Sequence, residues 1–305
     1  MKLSICIPVY NFDVRELVFD LKREIENEGI DAEIILIDDA SKDSFKEINQ
    51  SLKNTVHHFI FLEKNIGRSR IRNHFLTFST GEYLLFLDCD GKVVGKNFLK
   101  DYIQFIQNNP QTEVMYGGRT VSGYLPDPDH YLRWKFAVER ENLPVESRIT
   151  KPYLSFQTNN FVIRKDILEK NCFNPEFQKY GYEDLLFAMD LKTDNIKIDH
   201  IDNPIFNNDL ESNVIYLEKV EESVESLSHM LKDEILRSKL SEVKLVKIYN
   251  KLANSPLKFI LNIFFNMRGE SIKRKLSKGN VSLRYLDIYK LGLLFRQMSK
   301  GKSDN

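Results

Sequence analysis

Tyr83 Leu84 Leu85 Phe86 Leu87 Asp88 Cys89 Asp90 Gly91 decides the fold, because an uninterrupted apolar run stops there on two carboxylates and a glycine. A short run of large apolar residues suits a strand covered on both faces, as in a parallel sheet. Burying charge is costly, so the carboxylates belong where the strand leaves the core. In extended backbone, residues i and i+2 project to the same side; Asp88 and Asp90 leave together and Gly91 lets the chain turn away. Such a pair is half of a cation site, since Mg²⁺ takes one or two carboxylates and completes its shell with water and substrate phosphates. By itself the pair reads equally well as a polar strand exit.

Working upstream, strand and helix alternate. Leu3 to Val9 is followed by the amphipathic Val14 to Glu28, Glu33 to Ile37 by a helix near Lys42 to Leu52, and His58 to Leu62 by a helix from Arg68 to Phe78. This βαβαβαβ series predicts an α/β fold with a doubly wound, mostly parallel sheet, helices on both faces, and ligands in the crevice beyond the carboxyl ends of the strands. Pro8, Asp38, Asp39 and Asp88 all fall at those ends. Downstream of Gln111 the pattern loosens to a strand at Glu113 to Tyr116, a Gly117 Gly118 turn and a loop carrying Pro126, Pro128 and Pro144, the kind of loop that walls a substrate. From about Asn213 helix formers take over, and Leu217, Val220, Val224, Leu227 and Leu231 form a stripe that packs on a partner.

Composition narrows the function. The 305 residues are 42% hydrophobic, and 44 lysines and arginines balance 44 aspartates and glutamates. No global field draws the chain to nucleic acid, so an anion must be held by a local site. The N-terminus runs straight into a strand, and no apolar run approaches the roughly 20 residues that span a bilayer. Cys6, Cys89 and Cys172 sit at no zinc spacing and read as buried, reduced thiols. The expected location is the cytoplasm.

Three constellations carry chemistry. Ile7 Pro8 Val9 Tyr10 Asn11 and Ile37 Asp38 Asp39 Ala40 Ser41 close neighbouring strands and frame a base: an aspartate accepts from uracil N3–H while Tyr10 offers a flat surface. Alternatively, Asp39 or Ser41 caps the following helix. In Asn65 Ile66 Gly67 Arg68 Ser69 Arg70 Ile71 Arg72 Asn73, Arg68 and Arg72 share a helix face suited to phosphates, while Arg70 reads as a solvated basic residue. In Lys179 Tyr180 Gly181 Tyr182 Glu183 Asp184, the acidic pair opens a helix, where it either interacts with the dipole or supplies a general base, ionised at neutral pH.

Taken together, Pro8 Val9 Tyr10 Asn11, Asp38 Asp39, Asn65 with Gly67 and Arg72 Asn73, Asp88 Cys89 Asp90, and Glu183 Asp184 resemble the family 2 glycosyltransferases of the GT-A fold, over roughly residues 1 to 220. The resemblance implies a GT-A-like domain over 1–212, with a nucleotide-binding half 1–110 and an acceptor half 111–212, and a C-terminal helical appendage over 213–305. It implies an inverting transfer from a nucleoside-diphosphate sugar, a UDP-sugar, to a glycan or lipid-linked acceptor in surface polysaccharide synthesis. Nucleotide contacts fall on Pro8, Tyr10, Asn11, Asp38, Asp39, Gly67, Arg72 and Asp88. Asp90, with Asp88, is the metal site of the DXD motif, for Mn²⁺ or Mg²⁺. Asp184 is the base, with Glu183 beside it positioning the acceptor; Trp134, Asn159 and Asn160 lie near donor sugar and acceptor. The run Asp202 to Asn208 resembles a stretch where many relatives carry a histidine in place of Asn207, leaving Asn207 or the nearby His200 to touch the metal. That departure keeps a second reading open, a non-catalytic scaffold on the same fold.

Leu257 to Met267 is strongly apolar and is followed by Arg268, Lys273, Arg274, Lys275 and Lys278. Residues 255–280 therefore suit either peripheral contact with the inner face of a membrane or packing within a helical subdomain or homodimer, of which packing is the favoured expectation.

Overall fold

The structure is a computed structural model that describes residues 1–177, 180–207, 209–279 and 282–300; Lys179, Asn208 and Asn280, each at the margin of an expected site, lie outside the described residues. Among the described residues the strands are β1 (Leu3–Val9), β2 (Ala32–Asp38), β3 (His58–Phe61), β4 (Tyr83–Leu87), β5 (Gly91–Lys92), β6 (Val114–Tyr116), β7 (Arg119–Thr120), β8 (Asn160–Arg164), β9 (Ile198–His200) and β10 (Ile205–Asn207). The helices are α1 (Arg15–Glu28), α2 (Asp43–Gln50), α3 (Arg68–His74), α4 (Phe98–Asn108), α5 (Tyr131–Phe136), α6 (Val145–Arg148), α7 (Lys165–Lys170), α8 (Glu183–Thr193), α9 (Asn213–Met230), α10 (Glu234–Lys239), α11 (Lys244–Ala253), α12 (Leu257–Ser277) and α13 (Leu283–Lys300).

A seven-stranded sheet runs β3-β2-β1-β4-β8-β6-β9. β1 pairs in parallel with β2 and β4, and β2 with β3, while β8 lies antiparallel to β4 and β6. The parallel strands thus deliver their carboxyl ends, with Val9, Asp38 and Leu87, to one edge. Both faces of β1, β2 and β4 are buried, one against Leu17, Val18 and Leu21 of α1 and Phe98, Leu99 and Tyr102 of α4. On the other face Phe86 meets Phe75 edge-on and stacks on Phe161 at 4.9 Å. Each fully buried Leu, Ile or Phe contributes about 1.5–3 kcal/mol, enough in sum to hold charged strand ends in place. A small sheet, β5-β10-β7, sets Gly91 opposite Asn207 and Ile205 beside Arg119. A Cβ on Gly91 would lie 2.5 Å from Ile205 Cδ1, so a side chain there would have to push the end of that isoleucine aside.

Chain contacts divide the protein into two units, neither continuous in sequence. The first is Met1–Val121, Glu141–Gln178 and Asp190–Asp209, and holds both sheets; the second is Ser122–Arg140, Lys179–Met189 and Leu210–Asn305. In the second unit the stripe Leu217, Val220, Val224, Leu227 and Leu231 is buried as its spacing predicts, and Leu132, Phe265, Ile272, Leu276, Leu286 and Tyr289 share a core with α9. Segment 122–140 belongs there because Asn213 holds it: Leu132 N donates to Asn213 Oδ1 (2.8 Å), and Asn213 Nδ2 donates to Pro128 O (2.7 Å).

Of the three thiols expected to be buried, Cys6 is, Cys89 is half-buried and Cys172 departs fully. Cys172 is exposed, since it follows α7 in a loop rather than sitting in a strand. No helix of the described residues is long and apolar enough to cross a membrane.

Candidate active site

In the first unit the loops after β1 and β2 are tied together: Asn11 N donates to Ser41 Oγ (2.8 Å) and Lys42 N to Asn11 Oδ1 (2.8 Å). Asn11 and Ala40 adopt left-handed backbone at φ +50° and +60°, which lets both strands turn sharply at their ends. Pro8 continues the strand opposite Ile37, and the Tyr10 ring is left 53% exposed beyond it. Asp38 Oδ1 accepts from Ser41 N (2.8 Å), while its buried Oδ2 has no partner among the described residues. Asp39 turns toward the next loop, where Oδ1 accepts from Ile66 N (2.7 Å) and Oδ2 from Gly67 N (3.2 Å). Burial pushes the Asp39 carboxyl upward and these amides work against it. The helix-capping alternative does not hold: Lys42 occupies the N-cap of α2, and no side chain caps it.

Around the second acidic pair the partners are side chains. Arg72, 1% exposed, donates from one terminal nitrogen to Asp88 Oδ1 (3.0 Å) and from the other to Arg68 O (3.3 Å), its guanidinium lying 5.7 Å from the Phe173 ring. The sheet side of α3 thus buries Arg72, expected near the nucleotide phosphates, against Asp88. Arg68, one turn earlier and on the open side, lies 4.0 Å from Asp88 Oδ2. Nor is Arg70 merely solvated, because its Nε donates to Pro175 O (3.0 Å).

Burial, then the Asp88 charge, pushes the Asp90 carboxyl above its usual range, with Arg119 and Arg68 opposing. Asn207 Nδ2 donates to Asp90 Oδ2 (2.9 Å), while the buried Asn207 Oδ1 has no partner among the described residues. His200 is a β9 residue bonded to Pro152 O (3.0 Å) and edge-on to Tyr116; burial pulls it down to about 4. Of the two candidates, Asn207 is therefore the one at the carboxylate. A cavity of about 270 Å³, whose walls include Phe12, Cys89, Asp90 and Gly91, opens beside it.

These groups fit a hard divalent ion. Asp90 is half-buried beside a second carboxylate, a cost that a cation would relieve, and Asn207 offers an unengaged oxygen next to it. Among the described residues no three His, Cys, Asp or Glu side chains cluster as a metal site. The protein's share is a partial oxygen shell, the kind completed by water and phosphate.

Sequence reasoning missed Arg119. One terminal nitrogen lies 3.1 Å from Glu141 Oε2, whereas the buried Nε and second terminal nitrogen have no partner among the described residues. The available signal was its place directly after Gly117 Gly118. That turn is enforced by crowding: a Cβ on Gly117 would meet Tyr102 Oη at 2.0 Å, and one on Gly118, which has φ +99°, would lie 3.0 Å from the Arg148 guanidinium. Asn160 is fully buried; it accepts from Tyr102 Oη (2.7 Å) and donates to Gly118 O (2.9 Å) and Asn203 O (2.8 Å). Its polar atoms thus hold this turn instead of facing a sugar, whereas Asn159 Oδ1 has no partner among the described residues.

In the second unit, the acidic pair at the start of α8 is set by a strained approach. Gly181 has φ +105° and a Cβ there would lie 2.3 Å from Ser223 Cβ; Tyr182 follows at φ +67°. Tyr180 N donates to Glu222 Oε1 (3.1 Å) and Ser226 Oγ to Tyr180 O (3.1 Å), fixing the turn on α9. The buried Glu183 accepts from Gly181 N (2.8 Å), and the half-buried Asp184 from Leu185 N (2.7 Å). Trp134 Nε1 donates to Ser122 O (2.7 Å) in the same unit.

Residues 4–171 match the family described as Glycosyl transferase family 2. The cholesterol galactosyltransferase of Borreliella burgdorferi is 26% identical over 295 residues, which span 87% of this chain and 74% of that protein. The crystal structure of S. aureus TarS 1-349 aligns with 100% of this chain and 92% of its own, at a TM-score of 0.54 and 18% identity; TarS has also been solved with UDP and with UDP-GlcNAc. The mannosyltransferase PcManGT from Pyrobaculum calidifontis, in complex with GDP-Man and Mn²⁺, aligns over 99% of this chain and 86% of its own, at 0.60 and 13% identity. At such identities the two structures share the fold, which is GT-A-like.

Proposed function

The chain belongs to glycosyl transferase family 2, and we propose that it is an inverting enzyme that moves a hexosyl or N-acetylhexosaminyl group from a UDP-sugar to a hydroxyl of a lipid-linked or glycan acceptor. The observation that carries this is the β4 exit, where Asp88 and the half-buried Asp90 are met by Arg72, Asn207, Arg68 and Arg119. Mixed charge of this kind suits a pyrophosphate bound together with a divalent cation. The UDP and UDP-GlcNAc complexes of TarS and the cholesterol in the name of the Borreliella relative support the choice of donor and acceptor class.

In this mechanism Asp90, Asp88 and the Asn207 amide oxygen would hold Mn²⁺ or Mg²⁺, which when bound would supply positive charge to the leaving diphosphate. Tyr10 stacks on the base, the Asp38–Asp39 loop meets its polar edge, and the backbone of Asn11 and Gly67 shapes the nucleotide's bed. Arg68 and Arg119 take phosphate charge. Asp184 removes the acceptor's hydroxyl proton as that oxygen attacks the anomeric carbon from the face opposite the diphosphate. The bond from the anomeric carbon to the phosphate oxygen breaks, and its electron pair leaves on the nucleoside diphosphate. Glu183, held by the Gly181 amide, orients the acceptor, and the reaction runs on the cytoplasmic side.

Asp184→Asn tests the assignment. Turnover should fall by about 10²–10⁴-fold while UDP affinity, read by thermal shift, stays near wild type. Transfer at the wild-type rate would remove Asp184 as the base. The scaffold reading was motivated by Asn207, but the Asn207–Asp90 contact supports catalysis; no donor hydrolysis with any nucleotide sugar and Mn²⁺ would return the advantage to a scaffold.

A further inference from the structure

We propose that the outward face of α12 seats the protein on an anionic lipid bilayer. The helix has two apolar faces where a subdomain helix needs one. Phe265, Gly269, Ile272 and Leu276 are buried and supply its packing; Gly292 of α13 approaches so closely that a Cβ there would lie 2.0 Å from Phe265. On the opposite side Phe259, Ile260, Ile263, Phe264 and Met267 remain exposed, Phe259 by 71% and Met267 by 74%. At about 100° per residue these five fall on one side of the helix. The expectation that this stretch packs inside the helical region therefore holds for one stripe only.

Charge decides what covers the other. Between Asn254 and Lys278 the basic residues are Lys258, Arg268, Lys273, Arg274, Lys275 and Lys278, against Glu270 as the one acid, in a chain that is neutral overall. Lys273 pairs with Glu221 (2.6 Å) and Lys275 lies over the Tyr285 ring, but Arg268, Arg274 and Lys278 form no ion pair among the described residues. A second copy meeting this face would bring like charges together, whereas anionic headgroups complement them. From Leu257 to Met267 the helix rises only about 16 Å, far short of the roughly 30 Å of a hydrocarbon core, so the face lies in the interface. Aromatic and aliphatic side chains enter the acyl boundary, and the following arginines meet headgroups.

The test is co-sedimentation of the full chain with vesicles of phosphatidylcholine alone or mixed equally with phosphatidylglycerol, at low and high salt. The wild type should bind the mixed vesicles, and lose most binding on neutral vesicles or in high salt. Phe259→Ser with Met267→Ser, and separately Arg268→Gln with Arg274→Gln, should each weaken binding by about tenfold. All four side chains are exposed, so unchanged thermal midpoints will show that the fold is kept. The proposal is overturned if the wild type binds neither vesicle, or if both variants bind as it does. It is equally overturned if the wild type is a dimer that the Phe259/Met267 variant converts to monomer without any vesicle binding. Neither donor nor acceptor is needed, so failure here leaves the transferase reading untouched.

Discussion

At the end of β2 the carboxylates of Asp38 and Asp39 accept from the backbone amides of Ser41, Ile66 and Gly67, whereas at the end of β4 those of Asp88 and Asp90 are met by the side chains of Arg72 and Asn207. Spacing explains the difference. Asp38 closes β2 and Asp39 follows it, and as adjacent residues they point apart and stitch two different loops; Asp88 and Asp90 flank a tight turn in which Gly91 N donates to Asp88 O (3.0 Å), and the Asp88 charge adds to the cost of ionising Asp90. A carboxylate satisfied by amides builds the site. One left crowded by its twin is poised to bind a cation.

The sharpest break would come from Asp90→Asn, which should lower kcat/KM by about 10²–10³-fold in a donor-hydrolysis or transfer assay while leaving the thermal midpoint unchanged or slightly raised. Activity within about twofold of wild type would make the two strand ends equivalent.

Glu33, at the other end of β2, gives a purely structural reference. Burial alone would raise its pKa, but hydrogen bonds from Ser4, Thr80 and Lys2 outweigh that and hold the carboxyl at about 2. A depressed carboxyl contributes stability that is fully present above its ordinary value near 4.5 and is lost as pH falls toward 2. Urea unfolding should therefore show Glu33→Gln less stable by roughly 3 kcal/mol at neutral pH, with the difference vanishing near pH 2.

Asp39→Asn should cost about 1–3 kcal/mol by the same measurement, because one of the Ile66 and Gly67 amides loses its acceptor. An effect on UDP affinity with none on stability would reverse the contrast, making Asp39 a ligand residue. Smallest is Asn207→Ala, which should raise the Mn²⁺ concentration for half-maximal activity by about tenfold, the scale of a group that orients a metal-binding carboxylate. An unchanged midpoint would detach Asn207 from the cation.

Much of the fold was legible because two-sided burial writes itself into the chain as apolar runs, and turn chemistry punctuates them. The β1, β2 and β4 runs and the α9 stripe follow from residues near one another in sequence, whereas the bond that ties Asn11 to Ser41 joins two loops far apart in the chain. Arg68 and Arg72 were not separable, because residues i and i+4 share a helix face and only the neighbouring sheet decides which is covered. Asn159 and Asn160 look alike in sequence, yet Tyr102 and the Gly117 Gly118 turn claim one of them. Arg119 escaped notice because its position after the Gly117 Gly118 turn does not reveal that Glu141 engages one of its nitrogens and that the others are buried.

The chain alone determined the alternation of strands and helices, the acidic exits of β2 and β4, and the family pattern, since these depend on periodicity and on spacing within a few residues. Tertiary structure alone decided that Arg72 serves Asp88, that Asn207 rather than His200 stands at Asp90, that segment 122–140 folds with the C-terminal helices, and that one apolar face of α12 stays uncovered. Burial and pairing are properties of what lies across space, and no sequence window contains the partner.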